Sequence, residues 1–329
     1  MVPNGKLKSP MFSVIVPIYN VLHYLKAGLA SLVHELTDDL QVILIDDGST
    51  DGSGAVLDEY AKQFPQFEVV HQPNGGVAAA RNRGLERARG EYILWLDPDD
   101  YVLPGWLGAI RAAVERYAPD MLLFDFVQEQ NGQQTPKCYG RPAGAVQRNV
   151  FFSDLVRDLR LTSVLWNKVI RRSFFENTHF DESLRCLEDY VLLYQIAFEM
   201  FNIVYLPEHL YAYRIREDGL VRSPNLQIGF QSYLESIKRM EQFKALGLPS
   251  HALGTLLQAK GFCCKYYLCQ MPKEYRREYG ICKRLLLGHA FTVLADRELP
   301  WGEKCKYLLI PFAPVGKLYA RKAACGING

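Results

Sequence analysis

A chain of 329 residues that is 49% hydrophobic and 12% aromatic can bury a large core, which excludes an intrinsically disordered protein. Its net charge of +2 excludes a uniformly basic nucleic-acid binder, and no nucleic acid is expected as a partner. The mean conceals an asymmetry: from Lys260 onward there are 13 Lys/Arg against 5 Asp/Glu (+8), leaving 25 against 31 (−6) before it.

In chain order, "FSVIVPIY" (12–19) is a β-rich apolar run and "YLKAGLASLVHEL" (24–36) has helical spacing. "QVILID" (41–46) reads as a strand, "SGAVLDEYAKQF" (53–64) as a helix, "FEVVHQ" (67–72) as a strand and "GVAAARNRGLERARG" (76–90) as a helix. "YILWLD" (92–97) is the fourth strand. A helix over 106–117 and a strand over 120–128 follow, then a polar loop over 130–145. Residues 188–201 read as a helix, and 202–216 as strands separated by a turn at Pro207. From about 226 the pattern is helical and basic. Alternating β and α segments predict a doubly wound, mostly parallel sheet with helices on both faces. The apolar run at 11–22 resembles a signal peptide, but Pro17, Asn20 and His23 interrupt it and a strand uses it better. No apolar run reaches the length of a membrane span. Eight cysteines without a C-x-x-C pair, two of them adjacent (Cys263 and Cys264), predict free thiols in a reducing compartment.

The polar loops "PIYN", "DDGS", "QPNGG" and "DPDD" all follow strands, so all four lie at the carboxyl edge, where open α/β sheets bind ligands. Asp97, Asp99 and Asp100 crowd three carboxylates into four positions. Mutual repulsion makes such a cluster costly unless a cation offsets it, and Mg²⁺ or Mn²⁺ takes hard oxygen ligands of this kind. An acidic turn without a metal is the alternative.

"FSVIVPIYN", "VILIDDGSTDGS", "NGGVAAARNRGLERARGEYILWLDPDD" and "FDESLRCLEDYVLLYQ" together resemble family 2 glycosyltransferases with the GT-A fold, over about residues 1–220. The resemblance implies a GT-A catalytic domain over 1–225, with 11–104 as its nucleotide half and 105–225 as its acceptor half, and a basic helical region over 226–329. Pro17, Ile18 and Tyr19 would line the nucleobase and ribose pocket, and Asp47 would contact the base, usually uracil. Asn74, Gly75 and Arg81 would flank the nucleotide, Asp97 would lie near the ribose and sugar, and Asp99 would hold Mn²⁺ or Mg²⁺ on the diphosphate. Asp189 falls at the catalytic base, with Glu188 as the weaker candidate. Arg214 and Arg216 are candidate diphosphate contacts or a solvated basic loop. Trp166 is a candidate acceptor-stacking residue or a core tryptophan. Leu220 stands where relatives often carry Ser or His.

The implied activity is inverting transfer of one sugar from a nucleotide-diphosphate donor, UDP-linked by expectation, to a glycan or lipid-linked acceptor in bacterial surface polysaccharide assembly. A nucleotidyltransferase would want a Gly-rich basic loop after the first strand, and a dehydrogenase would want G-x-G-x-x-G there; "PIYN" is neither. A non-catalytic membrane-docking module is the remaining alternative. The basic C-terminal region suggests either an anionic surface on the cytoplasmic face of the membrane or assembly into a homo-oligomer.

Overall fold

The computed structural model describes residues 10–156, 163–184, 188–215, 271–295 and 301–312, with scattered positions between 230 and 266 and at 297. The chain divides into two compact units: Met1–Phe152 with Arg160–Ile215, and Ser153–Leu159 with Arg216–Gly329.

The first unit is built on a ten-stranded sheet. Strands β1 (Phe12–Ile18), β2 (Leu40–Asp46), β3 (Phe67–His71) and β4 (Tyr92–Trp95) lie in the order β3-β2-β1-β4, and every pairing among them is parallel. β1 and β2 are buried along their whole length. That is why their sequences are continuous apolar runs and not alternating ones. The connections are α1 (Leu22–His34), α2 (Ser53–Gln63) and α3 (Val77–Arg87). One face of the sheet packs Phe12, Val14, Val16 and Ile18 with Leu25, Leu29 and Leu32 of α1 and Leu57 of α2. Leu107 and Ile110 of α4 (Trp106–Tyr117) join the same cluster. On the other face α3 comes so close to β1 that a Cβ on Gly84 would fall 2.3 Å from Cγ2 of Ile15.

The second half of the sheet departs from the expected pattern. β5 (Tyr101–Val102), β6 (Met121–Gln130), β7 (Gln133–Lys137), β8 (Gly144–Val146), β9 (Lys168–Arg171) and β10 (Ile203–Arg214) complete it. β9 lies antiparallel between β4 and β6. β6 and β10 are parallel, while β5, β7 and β8 pair antiparallel at the margins. The polar stretch expected as a loop contains β7 and β8, because Asn131 and Gly132 both take positive φ and turn β7 back onto β6. Pro207 does not separate two strands: β10 runs through it with register shifts between Leu206 and His209 and between His209 and Tyr211. Helices α5 (Arg148–Val156) and α6 (Glu188–Ala197) complete this part of the chain.

Within the second unit, α7 (Arg276–Gly288), α8 (Ala290–Ala295) and α9 (Trp301–Leu309) are described. Cys282, Leu286, Val293, Tyr307 and Ile310 are buried there, while Phe291 (84% exposed) and Trp301 (70%) face solvent. Among the described residues Cys138, Cys282 and Cys305 are free thiols.

Candidate active site

Three of the four carboxyl-edge loops are bonded directly to one another. Asn20 takes φ +51°, accepts the Thr50 N–H at 2.8 Å and donates its own N–H to Ser49. Asp51 accepts the Leu22 N–H at 2.9 Å and so helps to cap α1 from another loop. The adjacent pair Asp46 and Asp47 has two separate tasks. Asp46 accepts the Ser49 N–H and pairs with Nδ1 of His71 at 2.7 Å. Asp47, 2% exposed, accepts Nε2 of Gln72 and the Gly75 N–H on one oxygen and the Gly76 N–H on the other, each at 2.8 Å. It thereby fixes the "QPNGG" loop, leaving Asn74 and Gly75 exposed on it.

The "DPDD" cluster is likewise divided. Asp100 turns inward: the Tyr211 hydroxyl donates to it at 2.8 Å and the Arg214 N–H at 2.7 Å. Burial, with the charges of Asp99 and Asp97, pushes its carboxyl well above the ordinary value. The Tyr211 hydroxyl also accepts the Asp97 N–H at 3.1 Å, so one tyrosine on β10 holds both ends of the turn. Arg214 donates from Nη1 to the Asp99 carbonyl at 3.1 Å and lies over the Tyr101 ring. Asp99 and Asp97 keep partial exposure at the edge.

At the centre is Arg81 on α3, 6% exposed. It donates from Nη1 to Glu188 at 2.6 Å and from Nη2 to Asp97 at 3.4 Å. Its Nε–H has no partner among the described residues. Burial works against its charge, but Glu188, Asp97 and Asp189 outweigh burial and raise its pKa. Burial pushes Asp97 up to about 6, assisted by Asp99 and Glu188 and opposed by Arg81. Asp189 is raised to about 7 by burial and then by Glu188, with Arg81 opposing. Both Glu188 and Asp189 lie in the first turn of α6, where the helix dipole favours acids.

Four of the sequence-derived residues therefore meet: Arg81, Asp97, Glu188 and Asp189. Tyr19 stands half-exposed at the same edge, and Pro17 is buried at the end of β1. One candidate, Ile18, needs correction, and of the two readings of Trp166 the core tryptophan holds. Ile18 is 1% exposed in the core with α1, because alternate residues of a strand face opposite ways and Pro17 takes the other side. Trp166 is a core residue: it stacks on Tyr211 and Tyr213 with centroids 4.7 and 5.4 Å away, and Phe126 meets it edge-on. Arg216 and Leu220 lie outside the described residues.

The sequence reading missed Asn82. Its side chain accepts the Phe180 N–H at 2.8 Å and donates to the Phe180 carbonyl and to Glu182, which docks "FDES" against α3. An asparagine inside a helix, where it is a poor former, was the available signal.

The glycosyl transferase family 2 model matches residues 13–178. The chain belongs to that family. It is 32% identical to the Uncharacterized glycosyltransferase EpsJ of Bacillus subtilis over 223 residues, covering 65% of this chain and 64% of that protein. It is 27% identical to the Cholesterol galactosyltransferase of Borreliella burgdorferi over 286 residues, covering 83% and 78%. The chain spans 64% of the length of EpsJ and of the Putative glycosyltransferase EpsH of the same organism. Among solved structures, S. aureus TarS 1-349 in complex with UDP-GlcNAc superposes with TM-score 0.63 at 19% identity, over 94% of this chain and 92% of that one. A mannosyltransferase from Pyrobaculum calidifontis in complex with GDP-Man and Mn²⁺ gives TM-score 0.53 at 17% identity, over 95% and 88%. The fold is thus the GT-A fold of these transferases, with a helical C-terminal region.

Proposed function

We propose that this chain transfers one sugar, with inversion, from a UDP-sugar to a hydroxyl of a glycan or lipid-linked acceptor in bacterial surface polysaccharide assembly. The observation that carries the proposal is the convergence of Asp97, Arg81, Glu188 and Asp189 from three separate parts of the chain. Asp189 is the proposed general base. A carboxyl raised to about 7 is poised to accept a hydroxyl proton near neutral pH, whereas one at the ordinary value is a weaker base. Glu188 is committed to Arg81 at 2.6 Å and serves to position the pair. Arg81 bridges the two acidic segments and holds Asp97 beside the donor.

The donor set suits Mn²⁺ or Mg²⁺. Asp99 and Asp97 offer hard oxygens, and their crowding with Glu188 and Asp189 leaves negative charge that Arg81 alone does not offset. When bound, the cation would neutralise the charge that develops on the leaving diphosphate. Asp99 is its proposed ligand and Arg214 a proposed diphosphate contact. Pro17, Tyr19, Asp47, Asn74 and Gly75 are the proposed nucleotide-side residues. For Asp47 the role includes fixing the loop through Gly75 and Gly76.

The second unit supports a peripheral site of action on the inner face of the membrane. Exposed Phe291 and Trp301 accompany the basic excess of 260–329. Cations beside exposed aromatics are the composition of interfacial segments. No helix among the described residues is long and apolar enough to cross a membrane.

Calorimetry with UDP, GDP and TDP, with and without Mn²⁺, tests the donor assignment. UDP should bind best, with Mn²⁺ dependence lost in Asp99→Asn. Tighter GDP binding would overturn the uracil assignment, and turnover insensitive to EDTA would remove the metal.

A further inference from the structure

Away from the carboxyl-edge residues, three metal-ligating groups meet on the second half of the sheet. The ligand atoms of Asp125 on β6, Cys138 just after β7 and His209 on β10 all lie within 4.8 Å of one another. Sγ of Cys138 is 3.5 Å from Nε2 of His209. Tetrahedral zinc, with bonds of about 2.3 Å to sulfur and 2.0–2.1 Å to imidazole, puts those atoms roughly 3.6 Å apart.

Two backbone devices assemble the group. The Asn131–Gly132 turn folds β7 onto β6, pairs Lys137 with Phe126 and so delivers Cys138 beside Asp125. On β10 the register shifts on either side of His209 mark it as a bulge residue, and bulges re-aim side chains. Asp125 is 2% exposed and already oriented: the Tyr139 N–H donates to Oδ1 at 2.7 Å and the Tyr205 hydroxyl to Oδ2 at 2.8 Å. Both donors are neutral. A carboxylate has about four acceptor positions, so each oxygen retains one for a cation. Outer hydrogen bonds of this kind orient metal ligands and are part of such sites.

We infer that Asp125, Cys138 and His209 form a binding site for one divalent cation of the zinc class, which clips the β6–β7 hairpin to the bulge of β10. Solvent completes the tetrahedron. Thiolate and imidazole select zinc over Mg²⁺ or Mn²⁺, so this site differs in metal class from the acidic edge. On binding, the Cys138 S–H gives its proton to solvent and the sulfur bonds the metal.

The test uses the reduced, chelator-treated full chain titrated with Co²⁺, followed by Zn²⁺ competition. One equivalent of Co²⁺ should give thiolate charge-transfer and tetrahedral d–d absorption, and Zn²⁺ should bleach both. Cys138→Ala and His209→Ala should each abolish the charge-transfer band, whereas Cys305→Ala should keep it. Cys138 is exposed, so its truncation leaves the core intact, and unchanged circular dichroism in chelator verifies this for both variants. Zn²⁺ should raise the melting temperature of the wild type and of neither variant. A band that survives Cys138→Ala, or a wild type without a thiolate signal, overturns the site.

Discussion

Removing the central cation is the sharpest perturbation of the site. Arg81→Met keeps a flexible apolar stem but leaves Glu188, Asp97 and Asp189 without their shared positive charge. The side chains of Arg81 and Glu188 are 7% and 9% exposed, so solvent screens their 2.6 Å contact weakly. Breaking a buried pair by deleting one partner costs about 3–5 kcal/mol. The Asp97 contact, at 3.4 Å and 29% exposed, adds less. At about 2–4 °C per kcal/mol for a unit of this size, the melting temperature should fall by about 6–20 °C. The loss should also depend on pH. Without Arg81 the carboxyls of Asp97 and Asp189 titrate higher still, so the native state holds protons that the unfolded chain releases. Stability is then lost as pH rises through those folded values, and is recovered below them. Since Asp97 already lies at about 6 with Arg81 present, the gap from wild type should be widest near pH 8 and narrow toward pH 5. Differential scanning fluorimetry across that range reads it directly. A loss under about 1 kcal/mol, or an equal gap at both ends, would refute the assignment of Arg81 as the cation that offsets these acids.

Other outcomes follow from the same geometry. Gly84→Ala puts a Cβ 2.3 Å from Ile15 and should destabilise by about 1–3 kcal/mol in urea unfolding, while Gly108→Ala on α4, with open space around it, should not. The pH profile of kcat/KM should fall on the acid side near pH 7, where Asp189 takes up its proton, and not near 4. In Asp189→Asn the buried like charge beside Glu188 is gone, so the donor-free protein should melt a few degrees higher at pH 8, where Asp189 is ionised in the wild type.

The first half of the sheet was legible because β1, β2 and β4, buried along their length, leave apolar runs that a covered parallel sheet explains. β7 was not, since "QQTPK" is an exposed polar edge; Asn131–Gly132 carried the signal, and its polar neighbours masked it. β9 is four residues long and enters antiparallel from far along the chain, which no local pattern announces. At the site, residue types pointed to the acidic edge, but their division of labour required coordinates. Asp100 serves β10 through Tyr211, and Asp47 serves its own loop system. Arg81 finds Glu188 across 107 positions of sequence. Ile18 was separable from Pro17 by strand alternation alone.

Asp189 is the proposed base on which transfer depends, and Asp189→Asn tests that role most directly. The amide keeps the shape of the side chain and cannot accept a proton. UDP affinity in the presence of Mn²⁺ should stay near wild type by calorimetry, while transfer measured as UDP release with acceptor falls by about 10²–10⁴. Transfer at the wild-type rate in this variant would contradict the account and move the base elsewhere, with Glu188 the next residue to test.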